Sequence, residues 1–234
     1  LVDLYELIDS DPELSREDFV ALGAFESGDE LWSLAPCFTI STCVGLESVV
    51  GDGLGWTFEE YLTLRDSLEP GKKMFAITSP LVFVQNTLDG VLPELIDYET
   101  ASCSFTDGRF EEYLRLASEL ETVDETDWES FNARFAAGEI VLYDTTLRDA
   151  ADLAALEEYY GQALTPIGWP SLDGSCGSRL MAWADMGIVS SGDVGAAWEF
   201  MRFLLSDGEP QSGLFAGSFP MCRTALEALL SEWL

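Results

Sequence analysis

The side chains of this chain that can do chemistry are unevenly stocked. Asp and Glu number 43, Lys and Arg together 11 and Cys 5, and there is no histidine. Without histidine the commonest general base and the commonest transition-metal ligand are gone, so Ser-His-Asp and Cys-His catalysis are excluded within the chain. Carboxylate, lysine, cysteine and tyrosine chemistry remain. Lysine occurs only as Lys72 and Lys73, next to Gly71, which reads as a surface turn. Cys37, Cys43, Cys103, Cys176 and Cys222 stand apart with no CxxC spacing, so no zinc or thioredoxin-like signature exists. They read as small buried hydrophobes, without a disulfide network. A carboxylate-pair glycosidase needs two acids roughly 5–10 Å apart. Carboxylates are so abundant here that any search for such a pair would succeed, so this alternative has no specific support.

The formal net charge of -32 repels phosphate backbones and anionic headgroups. Nucleic acid and membrane surfaces are therefore not expected partners. Hydrophobic residues make up 47% and aromatics 12%, ample for a packed core, so the acidity does not signal disorder. The 234 residues allow one large domain or two small ones. No run approaches the roughly 18 apolar residues of a membrane span. The opening "LVDLYELIDSDPEL" has neither Met nor a basic stretch, so the chain reads as a piece of a longer protein.

The elements that must position any site alternate between helix and strand. "SREDF" starts a short helix capped by Ser15, and "DELWSLAPCFTIS" leads through Pro36 into an extended crossing. In "GWTFEEYLTLRDSL", Thr57 and Glu60 form a capping box ahead of the stripe Phe58, Tyr61, Leu62 and Leu68. "KKMFAIT" is a strand, and a helix runs from Pro80 to Gly90. Thr106 and Asp107 precede a helical stripe of Phe110, Tyr113, Leu114 and Ala117. Gly138 separates a helix from the strand Ile140–Tyr143. "RLMAWADMGIVSS" is an apolar strand, Ser191 caps the helix that carries Trp198, and "TALEALLSEWL" is an amphipathic helix. The alternation predicts an α/β fold. No GxGxxG or GxxxxGK[ST] follows a strand, so no dinucleotide or P-loop cofactor site is expected.

Taken in order, "DELWSLAPCFTIS", "GWTFEEYLTLRDSL", "FAAGEIVLYD", "IGWPSLDG", "MGIVSSGDVGAAWEFMRFLLSDGEPQSG" and "FPMCRTALEALL" resemble an extracellular solute-binding protein of an ABC importer. The likeness is to the carbohydrate-type family of Gram-positive gut bacteria. Its matching positions are Trp56, Thr57, Glu60, Gly138, Gly168, Pro170, Ala197, Trp198, Glu199, Phe200 and Gln211. The resemblance implies a two-lobed periplasmic-binding-protein-like fold, and members several hundred residues long that open with a lipoprotein signal. Against that pattern one lobe of this chain is expected to be incomplete. Leu1–Ile40 and Arg179–Ser206 fall to the N-lobe, and Ser41–Ser178 with the tail from 207 to 234 to the C-lobe.

What the resemblance implies for function is capture of a small solute, a sugar or oligosaccharide, between two lobes that hinge near Phe38–Thr42 and Ser178–Met181. Delivery to the membrane permease subunits follows, with no catalysis, cofactor or metal, and the protein acts as a monomer. Sugar recognition uses flat aromatic faces and hydrogen-bonding hydroxyls and carboxylates. The candidates for the cleft are Phe38, Ser41, Tyr143, Asp144, Trp169 and Trp183. A core position competes for Trp183 on its apolar strand, and a sheet-capping position for Trp169 beside Pro170. Arg148 and Arg179 are the nearest arginines that could favour an anionic solute. In the family the helix carrying Trp198 packs on a lobe's sheet, so Trp198, Met201, Phe203 and Leu205 are expected core anchors. A degenerate protein without ligand binding is the further alternative.

Overall fold

The structure is a computed structural model that describes residues 1–97, 100–120, 122–124, 128–175, 177–206 and 216–231. Cys176 and Gln211 lie outside the described residues. The chain divides into two compact units. Unit 1 is Leu1–Ile40, Leu147–Ala154 and Leu180–Leu234, and unit 2 is Ser41–Thr146 and Ala155–Arg179.

Elements follow in chain order as α1 (Leu4–Ser10), β1 (Glu26–Ser27), β2 (Glu30–Leu31), β3 (Cys37–Leu46), α2 (Glu47–Val50), α3 (Phe58–Ser67), β4 (Lys73–Phe75), β5 (Ile77–Thr78) and α4 (Pro80–Val91). Then come β6 (Ile96–Asp97), β7 (Ser102–Cys103), α5 (Arg109–Ser118), β8 (Val123–Asp124), α6 (Trp128–Ala136), β9 (Ile140–Leu147), α7 (Ala150–Tyr160), β10 (Leu164–Thr165), β11 (Arg179–Trp183), α8 (Val194–Leu205) and β12 (Phe219–Pro220), ahead of the helix Arg223–Ser231.

In unit 1, Asp3 caps α1 by accepting from the backbone N–H of Tyr5, and the same carboxylate oxygen accepts from Leu31. Leu4, Tyr5 and Ile8 are buried. Pro220 and Phe219 pair antiparallel with Cys37 and Phe38 of β3. Arg223 donates to the carbonyls of Glu17 and Phe19. These bonds hold the C-terminal segment to Leu1–Ile40, which corrects its expected place with Ser41–Ser178. Sequence proximity did not show it because the contact spans some two hundred residues.

Helix α8 buries Trp198, Met201, Leu204 and Leu205. Phe203, expected in the core, is 52% exposed. At 3.6 residues per turn it stands about 140° round the helix from Trp198, and so faces away. The cap is also two residues later than Ser191: Asp193 accepts from the N–H of Ala196. An Asp carboxylate complements the positive helix N-terminus better than a hydroxyl.

In unit 2 the strands run in the order β10, β3, β9, β4. Strand β4 is parallel to β9, with Lys73 opposite Ile140 and Phe75 opposite Leu142, so Lys73 lies on a strand rather than in a turn. Strand β10 is antiparallel to β3. The core gathers Trp56, Tyr61, Phe75, Phe83, Tyr113 and Trp169. The capping box is present: Thr57 Oγ1 accepts from Glu60 N–H, and the Glu60 carboxylate accepts from Thr57 N–H at 2.7 Å. Ser79 caps α4, with Pro80 in the first turn where its missing N–H costs nothing.

Candidate functional site

Strand β9 places Asp144. Ile140, Val141 and Leu142 are buried, and the strand then emerges, with Tyr143 half-buried and Asp144 exposed. Ligands of α/β sheets gather at the carboxyl ends of parallel strands, which is where this strand surfaces. Side chains alternate along a strand, so Tyr143 and Asp144 face opposite ways. The Tyr143 ring packs against Phe131 at 5.1 Å and Phe135 at 6.1 Å. It belongs to the aromatic layer of α6 while remaining half-buried.

Unit 2 also carries polar groups on β3 and just before β11. Thr42 Oγ1 and Ser178 Oγ share a hydrogen bond of 2.7 Å. Desolvation by the surrounding protein raises the Asp144 pKa, and the Arg179 guanidinium pulls it partly back. Burial pushes the Cys43 thiol well up, with Asp144 adding to the shift. Arg179 donates to Asn86 Oδ1 at 2.7 Å and to the Gln85 carbonyl at 3.1 Å, and stands 3.6 Å from Asp89. Its Nε is buried with no partner among the described residues. Arg148, in contrast, is taken up by Asp152 through two bonds of 3.1 and 2.9 Å.

The backbones of Gly168 and Trp169 approach that of Gly177 closely. Trp169 N–H donates to the Gly177 carbonyl at 3.2 Å. A Cβ on Gly177 would stand 1.8 Å from the Trp169 carbonyl oxygen, so no other residue fits there. Asp173 accepts from Ser175 N–H and Ser171 Oγ–H, and these bonds hold its carboxyl below the usual range. The Trp56 indole donates to the Gly168 carbonyl at 3.0 Å. Trp169 itself is 1% exposed, stacked on Phe75 at 4.8 Å and edge-on to Phe83. With one face stacked on Phe75 and the whole ring buried, no face is open to a solute, which corrects its expected role as a solute-stacking surface. Its Nε1 is buried without a partner among the described residues, a state that costs about 1–3 kcal/mol.

In unit 1 the assignments reverse. Trp183 of β11, for which a core position competed, is 61% exposed. Its indole Nε1–H reaches Thr39 Oγ1 at 3.4 Å, which orients the ring while leaving it accessible. Phe38 is 7% exposed and stacks on Phe219 at 5.5 Å, so it is a core residue rather than a site residue. Ser41 is half-buried on β3. Sequence reasoning placed Thr39, Thr42 and Ser178 in the hinge ranges and not among the site residues. The available signal was a pair of threonines on a strand otherwise apolar enough to be all core.

Among the described residues there is no cluster of His, Cys, Asp or Glu arranged to hold a metal ion, and no helix long and apolar enough to cross a membrane.

No family model and no curated protein matches the chain. Solved structures do, and they define the class of fold as the two-lobed, periplasmic-binding-protein-like α/β architecture. Among them is the sugar-binding protein MalE from Xanthomonas citri, with 14% identity and a TM-score of 0.58, covering 97% of this chain and 62% of that one. A solute-binding protein of Streptococcus pneumoniae in complex with the blood group A-trisaccharide matches at 15% identity and TM-score 0.56, covering 99% and 62%. The ABC substrate-binding protein Lmo0181 from Listeria monocytogenes, in complex with cycloalternan, matches at 13% and 0.56, covering 99% and 64%. The chain thus spans 62 to 64% of the length of these structures.

Proposed function

We propose that this chain is the solute-binding part of an ABC importer and that its solute is a neutral sugar or oligosaccharide. The observation that carries the reading is Trp183: a large aromatic face, 61% exposed, with its indole N–H tied to Thr39. An oriented, accessible indole is a surface on which a sugar ring stacks. Asp144 supplies a second, polar feature. A carboxylate kept partly desolvated beside Arg179 is positioned to accept hydrogen bonds from hydroxyl groups. The fold's solved neighbours bound to sugars support the same class of solute.

In this reading unit 1 belongs to the N-lobe and unit 2 is the C-lobe. The protein performs no chemistry on its solute, works outside the cell as a surface lipoprotein and hands the solute to permease subunits. Isothermal titration of the chain against mono- and oligosaccharides is the test. Trp183→Ala should weaken the sugar bound by the native chain at least tenfold while moving the melting temperature by less than about 2 °C, as for an exposed side chain. Unaltered affinity in that variant, or no sugar bound by the native chain, would overturn the reading.

A further inference from the structure

Helix α8 is apolar on two sides. Of its twelve residues only Glu199 and Arg202 are charged. One side, with Trp198, Met201, Leu204 and Leu205, is buried in unit 1. On the other, Ala196, Phe200 and Phe203 stand at i, i+4 and i+7 and form a second stripe. All three are exposed, Phe200 at 61% and Phe203 at 52%. A helix that is apolar all round belongs in an interior, and two large aromatics exposed on successive turns mark a contact surface rather than scattered surface hydrophobes.

Beside Phe203 the surface of unit 1 opens into a groove of about 610 Å³. Leu14, Phe203 and Cys222 give it an apolar lining, and Glu13, Asp18 and Glu199 an acidic one. Arg202, the cation in its wall, is already shared by three carboxylates: it stands 3.4 Å from Asp11, 3.2 Å from Glu13 and 3.7 Å from Glu199. Arg223 is turned to the carbonyls of Glu17 and Phe19. Glu13 and Glu199 keep most of their side chains in water, so negative charge stays accessible along the groove.

This combination selects the occupant by charge. A second copy of the chain would bring the same carboxylates and the same net charge of -32 against the face. Anionic headgroups of a bilayer would meet the same repulsion. A helix with an apolar stripe flanked by lysines or arginines meets both features at once. Its stripe covers Phe200 and Phe203 and enters the groove beside them, while its cations face Glu13, Asp18 and Glu199. Amphipathic helices dock into apolar grooves in this way, through anchors at i, i+3, i+4 and i+7.

We propose that the outer face of α8 and the adjoining groove are a docking surface for a basic amphipathic helix of a partner protein. The surface lies within unit 1, uses neither Trp183 nor Asp144, and is independent of the solute.

The test is fluorescence anisotropy of a labelled helical peptide of about 14 residues, roughly four turns, with leucine on one face and lysine on the other. It is titrated with the full chain in about 0.15 M salt, where charges more than about 8 Å apart are screened. The same peptide with glutamate in place of lysine is the control. The lysine peptide should bind and the glutamate peptide should not. Phe200→Ser combined with Phe203→Ser leaves the charge of the chain untouched, so it separates docking from attraction by net charge alone. This pair should weaken the lysine peptide by about tenfold or more, the scale of losing aromatic anchors. As changes at exposed positions, the two should move the melting temperature by less than about 2 °C. Should the pair fail to fold, Glu13→Gln combined with Glu199→Gln decides, and it too should weaken the lysine peptide. No binding of the lysine peptide, equal affinity for the glutamate peptide, or native affinity in either folded pair would overturn the proposal. So would a dimer of the native chain in sedimentation velocity that the phenylalanine pair dissolves, because the face would then belong to a second copy.

Discussion

Trp198→Phe tests the packing of unit 1. Its indole Nε1–H donates to Asp11 Oδ2 at 2.9 Å, and the Asp11 side chain is only 3% exposed. The same carboxylate accepts from the backbone N–H of Glu13 at 2.9 Å and of Leu14 at 3.1 Å, with Arg202 at 3.4 Å. Phenylalanine keeps the six-membered ring and removes one donor from a buried carboxylate. A hydrogen bond to a charged group is worth about 1.5–3 kcal/mol, and the lost ring edge adds about 1 kcal/mol of apolar burial. The loss is therefore about 2.5–4 kcal/mol. At about 2–4 °C per kcal/mol for a chain of this size, the melting temperature should fall by roughly 5–16 °C. Circular dichroism melts read it directly.

The pH dependence gives a second handle. Burial pushes the Asp11 carboxyl up, but the hydrogen bonds from Glu13 and Trp198 and the charge of Arg202 outweigh it and leave its pKa below the ordinary value. A carboxylate depressed in the folded state stabilises the fold above its unfolded pKa, about 3.9, and loses that contribution as pH falls through the folded value. The gap between native and Trp198→Phe melting temperatures should therefore hold from neutral pH to about pH 4 and narrow below it. Sugar affinity should not change. A melting temperature within 2 °C of native at pH 7, or a folded variant that no longer binds sugar, would refute the assignment of α8 to the core.

Three further outcomes follow from the same structure. Asp144 has a raised folded pKa, so it favours the fold below its unfolded pKa and that advantage is lost as pH rises through the folded value; Asp144→Asn should raise the melting temperature at pH 7, show no gain below about pH 3.5, and weaken sugar binding at least tenfold. Gly177→Ala should destabilise by about 3 kcal/mol or more, because its Cβ overlaps the Trp169 carbonyl, and a denaturant titration with an unmoved midpoint would contradict it. Of the described cysteines, Cys37, Cys43, Cys103 and Cys222 are free, and Cys103 is exposed while the others are buried; a thiol reagent should modify Cys103 in the native protein and reach Cys43 only on unfolding.

Local order was legible in the sequence wherever it depends on neighbours within one turn. The Thr57–Glu60 capping box, the Ser79–Pro80 helix start and the Gly138 break before β9 each follow from backbone geometry that a few adjacent residues dictate. The absence of histidine and the acidic balance likewise exclude whole classes of chemistry without any coordinates. What the tertiary structure alone decided is which face of each element meets protein. Trp169 and Trp183 are the same residue type in similar apolar surroundings of sequence, yet one is 1% and the other 61% exposed. Tyr143 and Asp144 are adjacent, yet the pleat sends one against α6 and leaves the other open. Burial is set by residues distant in the chain, such as Phe75 and Phe83 closing over Trp169, and no local pattern encodes which of two similar side chains those partners will cover.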